Sequence, residues 1–178
     1  SDPAALIAEL NGRFSDTDDR RQFRRVIRYL KRWKDVQFSS EGNEAPRGIA
    51  LTACAYEWFQ PAYTRDGLAN TRTDDDHRAL EGLVQEMLDR FVSARLSVAL
   101  PVPPCNDLFA RMSDEQMKTT KAKLIALRDA LTAARDEVDP HVAAGDLSKL
   151  LSDDFPVPEQ KDTAVRRAAA IVTSGHSA

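Results

Sequence analysis

Basic residues dominate one segment of the chain, and their spacing predicts an anion-binding surface. Residues 20–35 read RRQFRRVIRYLKRWKD. At about 100° per residue, one side of a helix there carries a row of cations that we call the cationic stripe: Arg20, Arg24, Arg28 and Lys31. Arg28 and Lys31 are three residues apart, so they project together and are suited to hold a phosphate group. An ordinary solvated helix face is the alternative interpretation.

A second cation stands at the start of the next predicted helix. Residues 46–59 read PRGIALTACAYEWF, which is nearly all small or apolar, and this predicts a buried helix that begins at Pro46. Backbone N–H groups at the start of a helix favour anions. We therefore expect Arg47 to join Lys31 and Arg28 around a phosphate.

Other residue types that could do chemistry are less well placed. The acidic run at residues 74–76 suggests a two-metal carboxylate site, but consecutive acids point in different directions on a helix, which favours a helix cap. His77, His141 and His176 have no Ser or Cys partner arranged around them, so no acid–base role is assigned. Neither Cys54 nor Cys105 belongs to a CxxC pair, so no zinc site is predicted.

Composition narrows the class of protein. The 178 residues suit one domain, and the hydrophobic fraction of 42% and charged fraction of 30% are ordinary for a globular protein. The net charge of −3 argues against a general nucleic-acid coat protein. The sequence contains no run of about 18 apolar residues, so it predicts no membrane span. The two separated cysteines favour a reducing, cytoplasmic compartment. Because the chain begins with Ser1, we expect a piece of a longer protein.

The elements that must position these residues are predicted to be helices. We expect helices over 3–13, 20–35, 47–59, 113–138 and 139–151, and another that begins at a capping box on Thr73. Residues 61–72 read as a polar loop. Apolar residues spaced by seven predict the packing face of the fifth helix: Met117, Leu124, Leu131 and Val138. The fold class is all-α, with a helical domain over 1–152 and a mobile, extended tail over 153–178.

Four segments together resemble a known family. RRVIRYLKRWKD, PRGIALTACAYEWF, TDDDHRAL and LPVPPCNDLFARMSDEQM occur in the order and spacing of the C-terminal helical half of bacterial CD-NTases. These are the cGAS/DncV-like nucleotidyltransferases of CBASS antiphage defence, and the resemblance covers residues 1–158. It implies a helical bundle like the C-terminal half of oligoadenylate-synthetase-like nucleotidyltransferases.

The resemblance also implies an activity and a division of labour. Such enzymes join ATP or GTP into a cyclic oligonucleotide, using Mg²⁺ held by carboxylates of an N-terminal catalytic half. This chain carries none of those carboxylates, so the resemblance assigns it no catalytic residue and no metal ligand. It implies a lid over the nucleotide, in which Lys31 contacts the triphosphate, Arg28 lies nearby, and Arg47 replaces a common Ser. It further predicts an exposed apolar patch beside Lys31, facing the catalytic half.

Two other functions remain open from the sequence. The resemblance implies that a ubiquitin-transfer-like conjugating enzyme joins the C-terminal carboxylate of Ala178 to targets, and this suits a non-catalytic helical interaction module. An ordinary disordered terminus is the alternative interpretation of the same tail. A nucleic-acid-binding helical domain that uses the cationic stripe is the third hypothesis. None of these hypotheses involves a membrane.

Overall fold

Helices form most of the chain, as the sequence predicts. The computed structural model describes residues 2–42, 44–151 and 155. Six helices and one antiparallel hairpin follow in chain order: α1 (Pro3–Gly12), α2 (Thr17–Gln37), α3 (Gly48–Trp58), β1 (Tyr63–Asp66), β2 (Thr71–Asp74), α4 (Asp76–Asp89), α5 (Asp114–Asp136) and α6 (Pro140–Leu151). In the described part of the chain, no helix is long and apolar enough to cross a membrane.

Side-chain caps fix the starts of α1, α2, α4 and α5. The Asp2 carboxylate accepts from the N–H of Ala4 at 2.9 Å, and Asp16 accepts from the N–H of Asp18 at 2.8 Å. Ser113 and Gln116 form the predicted capping box at the start of α5. Each such cap contributes about 1 kcal/mol to helix stability.

Helix α2 is the centre of the fold, because it packs against α3, α4 and α6. Its apolar face is buried, with Phe23, Val26, Leu30 and Trp33 at 1% exposure or less. Truncating a fully buried aromatic residue such as Trp33 to Ala costs about 3–5 kcal/mol. The buried face fixes the rotation of α2, and with it the direction in which the cationic stripe points.

The polar loop predicted over 61–72 is wrong, because β1 and β2 form a hairpin there. Tyr63 pairs with Asp74, and the Asp66 carboxylate accepts from the N–H of Leu68 at 2.8 Å within the turn. Thr73 lies in β2, so the predicted capping box is also wrong. Asp75 is the cap of α4, and it accepts from the N–H of Arg78 at 2.9 Å.

The seven-residue spacing of α5 holds only as far as the helix does. Met117, Leu124 and Leu131 are buried, as predicted, but Val138 is 72% exposed. Helix α5 ends at Asp136, where Glu137 caps it, so Val138 has left the helical register. The packing face therefore stops at Leu131 and the neighbouring Ala134.

The predicted tail lies almost entirely outside the described residues. Ala178 lies outside the described residues, so its proposed conjugation stays a prediction. Phe155 is described, and its side chain is 5% exposed. Its ring stands edge-on to Tyr29, with 4.8 Å between the ring centroids. Phe155 thus packs against α2 with the helical domain.

Candidate anion-binding site

The side chain of Lys31 reaches across from α2 to the first residue of α3. Its Cε lies 3.8 Å from the point where a Cβ on Gly48 would stand. Arg47 immediately precedes Gly48 as the N-cap of α3, and its side chain makes no capping hydrogen bond. The structure therefore places the Lys31 side chain at the N-terminus of α3, whose N-cap residue is Arg47. We call Lys31, Arg47, Arg28 and this helix start the anion corner.

The start of α3 leaves backbone donors free. The carbonyl of Arg47 accepts from the N–H of Ala50 at 2.9 Å and of Leu51 at 3.2 Å. The N–H groups of Gly48 and Ile49 have no acceptor within the described ranges. Free N–H groups and the positive end of the helix dipole both attract an anion.

No carboxylate neutralises the anion corner. Arg28, Lys31 and Arg47 are exposed, and none of them forms an ion pair with any residue that the structure describes. Arg28 lies one turn before Lys31 on α2. An incoming phosphate would therefore meet cations whose charge is still available.

The cationic stripe does not act as one unit. Arg24 donates from Nη2 to the side-chain oxygen of Asn11 at 2.6 Å, and Arg20 reaches the hydroxyl of Thr17 at 3.4 Å. These first two members are held by neutral oxygen atoms near the start of α2. Arg28 and Lys31 have no such partner within residues 2–42 and 44–151. Only the second half of the stripe belongs to the anion corner.

Sequence reasoning missed a different cation, Arg25, which forms the main polar junction of α2. Its Nε donates to Asp76 at 2.6 Å, and its Nη2 donates to Asp74 at 2.7 Å. Gln22 and Tyr29 also donate to Asp76, at 3.2 and 3.3 Å. The position of Arg25 at the border of the apolar face, beside Gln22 and Tyr29, was the available sequence signal. We call these five residues the Arg25 junction.

The Arg25 junction shifts the pKa values of its charged members. Burial alone would raise the pKa of Asp76, but hydrogen bonds from Arg25 and Gln22 outweigh it and lower that pKa below its ordinary value. The pKa of the Arg25 guanidinium is raised, mainly by its hydrogen bond to Asp76. Both groups are therefore held firmly in their charged forms.

The acidic run at residues 74–76 does not fit a magnesium site. Asp74 accepts from Arg72 at 2.7 Å as well as from Arg25, Asp76 is bound to Arg25, and Asp75 caps α4. The helix-cap interpretation is thus right for Asp75 alone. Across the described residues, no group of three or more His, Cys, Asp or Glu side chains is arranged to hold a metal ion.

The exposed apolar patch predicted beside Lys31 is absent. No large hydrophobic side chain between residues 20 and 34, all of which are described, is exposed. Instead, the exposed residues of this segment are basic: Arg21, Arg24, Arg28, Lys31 and Arg32. A partner of this face would meet charge, because the apolar residues of α2 are used by its own core.

Several other candidates have structural roles. Trp33 and Cys54 are fully buried core residues. Nε2 of His77 lies 2.6 Å from the carbonyl of Leu131, and burial lowers the pKa of this histidine. A neutral His77 then donates to that carbonyl and links α4 to α5.

The chain matches no protein-family model, and no curated protein is significantly similar to it in sequence. Within the described residues, the anion corner combines three cations that form no ion pair with two backbone N–H groups that have no acceptor, and this chemistry is the basis for a proposed function.

Proposed function

We propose that this chain is the nucleotide-binding lid of a synthase that joins ATP or GTP into a cyclic oligonucleotide in antiphage defence. Lys31, Arg28 and Arg47 hold the triphosphate. One observation carries this proposal: the Lys31 side chain lies against Gly48 at the start of α3, where no carboxylate competes for it. The resemblance to CD-NTases independently gives Lys31 the same role.

The anion corner suits a triphosphate because its groups recognise charge in different ways. Lys31 supplies a compact charge, Arg28 and Arg47 supply planar guanidinium groups that bind phosphate oxygens in pairs, and α3 supplies N–H groups. A hydrogen bond to a charged group contributes about 1.5–3 kcal/mol. Two or three such bonds are enough for a weak, phosphate-dependent affinity.

The lid would hold the nucleotide while another part of the enzyme performs the reaction. Mg²⁺ and its carboxylate ligands would belong to an N-terminal catalytic half, since the acidic run at residues 74–76 does not fit a metal. That half and ATP or GTP are the partners that this proposal requires. The exposed cations of α2 would then lie opposite bound phosphates and not against an apolar domain interface.

The test is calorimetric titration of the chain with ATP, GTP, ADP, AMP and adenosine. We expect the affinity to rise with each added phosphate and to be similar for ATP and GTP, since the corner contacts phosphates. Lys31→Ala should weaken ATP binding about tenfold, which corresponds to about 1.4 kcal/mol.

Lys118→Ala is the matched control, because Lys118 is 77% exposed on a different helix, α5. It removes one exposed lysine, which pairs with Glu115 at 3.8 Å, and should leave ATP binding unchanged. Adenosine binding as tightly as ATP, or equal effects of Lys31→Ala and Lys118→Ala, would contradict the proposal.

A further inference from the structure

Three arginines form a row along the exposed side of α2 that turns by about 40° around the helix axis at each step. Arg24, Arg28 and Arg32 are spaced i, i+4 and i+8, and all three are exposed. Residues four apart on a helix lie on one ridge, with a rise of about 6 Å between them. We call these three residues the arginine row. It spans about 12 Å of the helix.

The arginine row is not neutralised by the protein. No carboxylate of the described residues lies within ion-pair distance of its members. The three acids of α2 are already engaged, since Asp18 pairs with Arg21 at 3.4 Å, Asp19 with Arg72 at 2.8 Å and Asp35 with Lys34 at 2.9 Å. Like charges at i, i+4 destabilise a helix, and the chain as a whole is acidic, with a net charge of −3. The arginine row therefore does not stabilise the fold.

The arginine row extends beyond the anion corner. Lys31 leans towards the start of α3, whereas Arg32 is turned about 100° away from it around the helix axis. Arg24 lies almost two turns before Lys31. A triphosphate held by Lys31 and Arg47 would reach Arg28 alone among the three arginines. Arg24 donates to Asn11, which is neutral, and Arg32 has no ion-pair partner among the described residues, so both keep a positive charge that a longer polyanion could contact.

We propose that the arginine row binds consecutive phosphates along one strand of a nucleic-acid duplex. The 6 Å step of the row, about one helical turn, is comparable to the separation of neighbouring phosphates, and each guanidinium can bind phosphate oxygens in pairs. The contacts involve no base, so the binding is independent of sequence.

A single strand fits this face less well than a duplex. Proteins that bind single strands without sequence preference stack bases on exposed aromatic rings. Trp33 is fully buried, and Tyr29 packs under Phe155 and donates to Asp76. The segment 20–34 therefore offers no exposed ring for stacking. It offers charge at regular intervals, which suits the fixed phosphate spacing of a duplex.

The test measures fluorescence anisotropy of labelled duplexes of mixed sequence, in one DNA and one RNA version, with the full 178-residue chain. Three phosphate contacts predict that log K falls with log salt with a slope of about −2.7. The triple variant Arg24→Gln, Arg28→Gln, Arg32→Gln should lose more than about tenfold in affinity at about 50 mM salt and flatten that slope. Binding of either duplex supports the proposal, and the duplex that binds more tightly identifies whether the ligand is DNA or RNA.

A charge-matched control removes three exposed cations elsewhere: Arg111→Gln, Lys118→Gln and Lys149→Gln. This control should keep both the affinity and the salt slope of the unmodified chain. If it loses duplex affinity as much as the row variant does, the effect is one of net charge and the proposal is overturned. Binding to vesicles of phosphatidylserine and phosphatidylcholine, without binding to either duplex, overturns it as well.

The double variant Arg24→Gln, Arg32→Gln separates this inference from the triphosphate site. It retains Arg28, Lys31 and Arg47, so it should bind ATP normally while losing duplex affinity. Lys31→Ala should show the opposite pattern. Duplex binding that Arg24→Gln, Arg32→Gln leaves unchanged would overturn the arginine row as the contact surface, whatever the outcome of the ATP titration.

Discussion

Two arginines three residues apart on α2 have opposite roles. Arg25 donates to Asp76 at 2.6 Å and to Asp74 at 2.7 Å, and its side chain is 28% exposed. Arg28 is exposed and has no ion-pair partner in the described part of the chain. The difference arises because the hairpin and the start of α4 pack against one side of α2 only. A basic run in a sequence therefore predicts the amount of charge, whereas distant segments decide which charges stay available.

Different residues of α2 contribute to stability and to binding. The Arg25 junction is partly buried and its hydrogen bonds link α2 to β2 and α4, so its members should affect unfolding. Surface charges such as Arg28 contribute little to stability, about 0–1 kcal/mol even when they are paired. The anion corner and the arginine row should therefore tolerate substitution without loss of the fold.

The largest expected effect is on the stability of the Arg25 junction. Arg25→Met leaves the carboxylate of Asp76, which is 9% exposed, without its cation. We expect a loss of about 2–3 kcal/mol in the free energy of unfolding, below the full cost for a completely buried pair because Arg25 is partly solvated. Arg28→Met, on the next turn, should change it by less than about 0.5 kcal/mol. Urea unfolding followed by circular dichroism measures both.

A second variant tests whether the uncompensated charge causes that loss. Arg25→Met combined with Asp76→Asn should recover part of the stability, because the remaining amide is neutral and can still accept from Gln22. Equal losses in the free energy of unfolding for Arg25→Met and Arg28→Met would contradict the stabilising role given to the Arg25 junction.

The next effect is the dependence of stability on pH. The pKa of Asp76 lies below its ordinary value in the folded chain, so the folded state favours the ionised form. This contribution is fully present above the ordinary carboxyl pKa of about 3.9 and is lost as the pH falls through the lower, folded value. The stability difference between the unmodified chain and Asp76→Asn should therefore shrink below about pH 4. A difference that stays constant from neutral pH down to acid unfolding would refute the role given to Asp76.

Local sequence signals explain which parts of the site could be predicted. The meeting of Lys31 with the start of α3 follows from the apolar face of α2, which sets its rotation, and from Pro46, which sets where the next helix begins. The pairing of Arg25 with Asp76 joins residues 51 positions apart, and no local pattern specifies it. Capping logic identified residues 74–76 as a helix start but could not say which carboxylates would bind arginine.

Periodicity also failed where an element ended or changed type. The segment 61–72 has few apolar residues, and the hairpin there is stabilised by its backbone ladder and by the ion pairs of Arg72, which polar composition does not reveal. Val138 continues the seven-residue spacing, but α5 ends two residues earlier. In both cases hydrogen bonding of the backbone overrode the side-chain pattern.

The smallest expected change in stability comes from giving Arg28 an acidic neighbour. Arg32→Glu places a carboxylate four residues after Arg28 and gives that arginine the kind of partner that Arg25 already has. An i, i+4 pair changes helix stability by only about 0.2–0.5 kcal/mol, and less when the acid follows the base. ATP affinity should nevertheless fall severalfold, because the new carboxylate competes with phosphate for Arg28. Arg32→Gln is the control, since it removes the same cation without adding an acid and should leave ATP binding nearly unchanged. Equal ATP affinities for the two variants, measured by the same calorimetric titration, would show that Arg28 takes no part in holding the triphosphate and would leave Lys31 and Arg47 as its contacts.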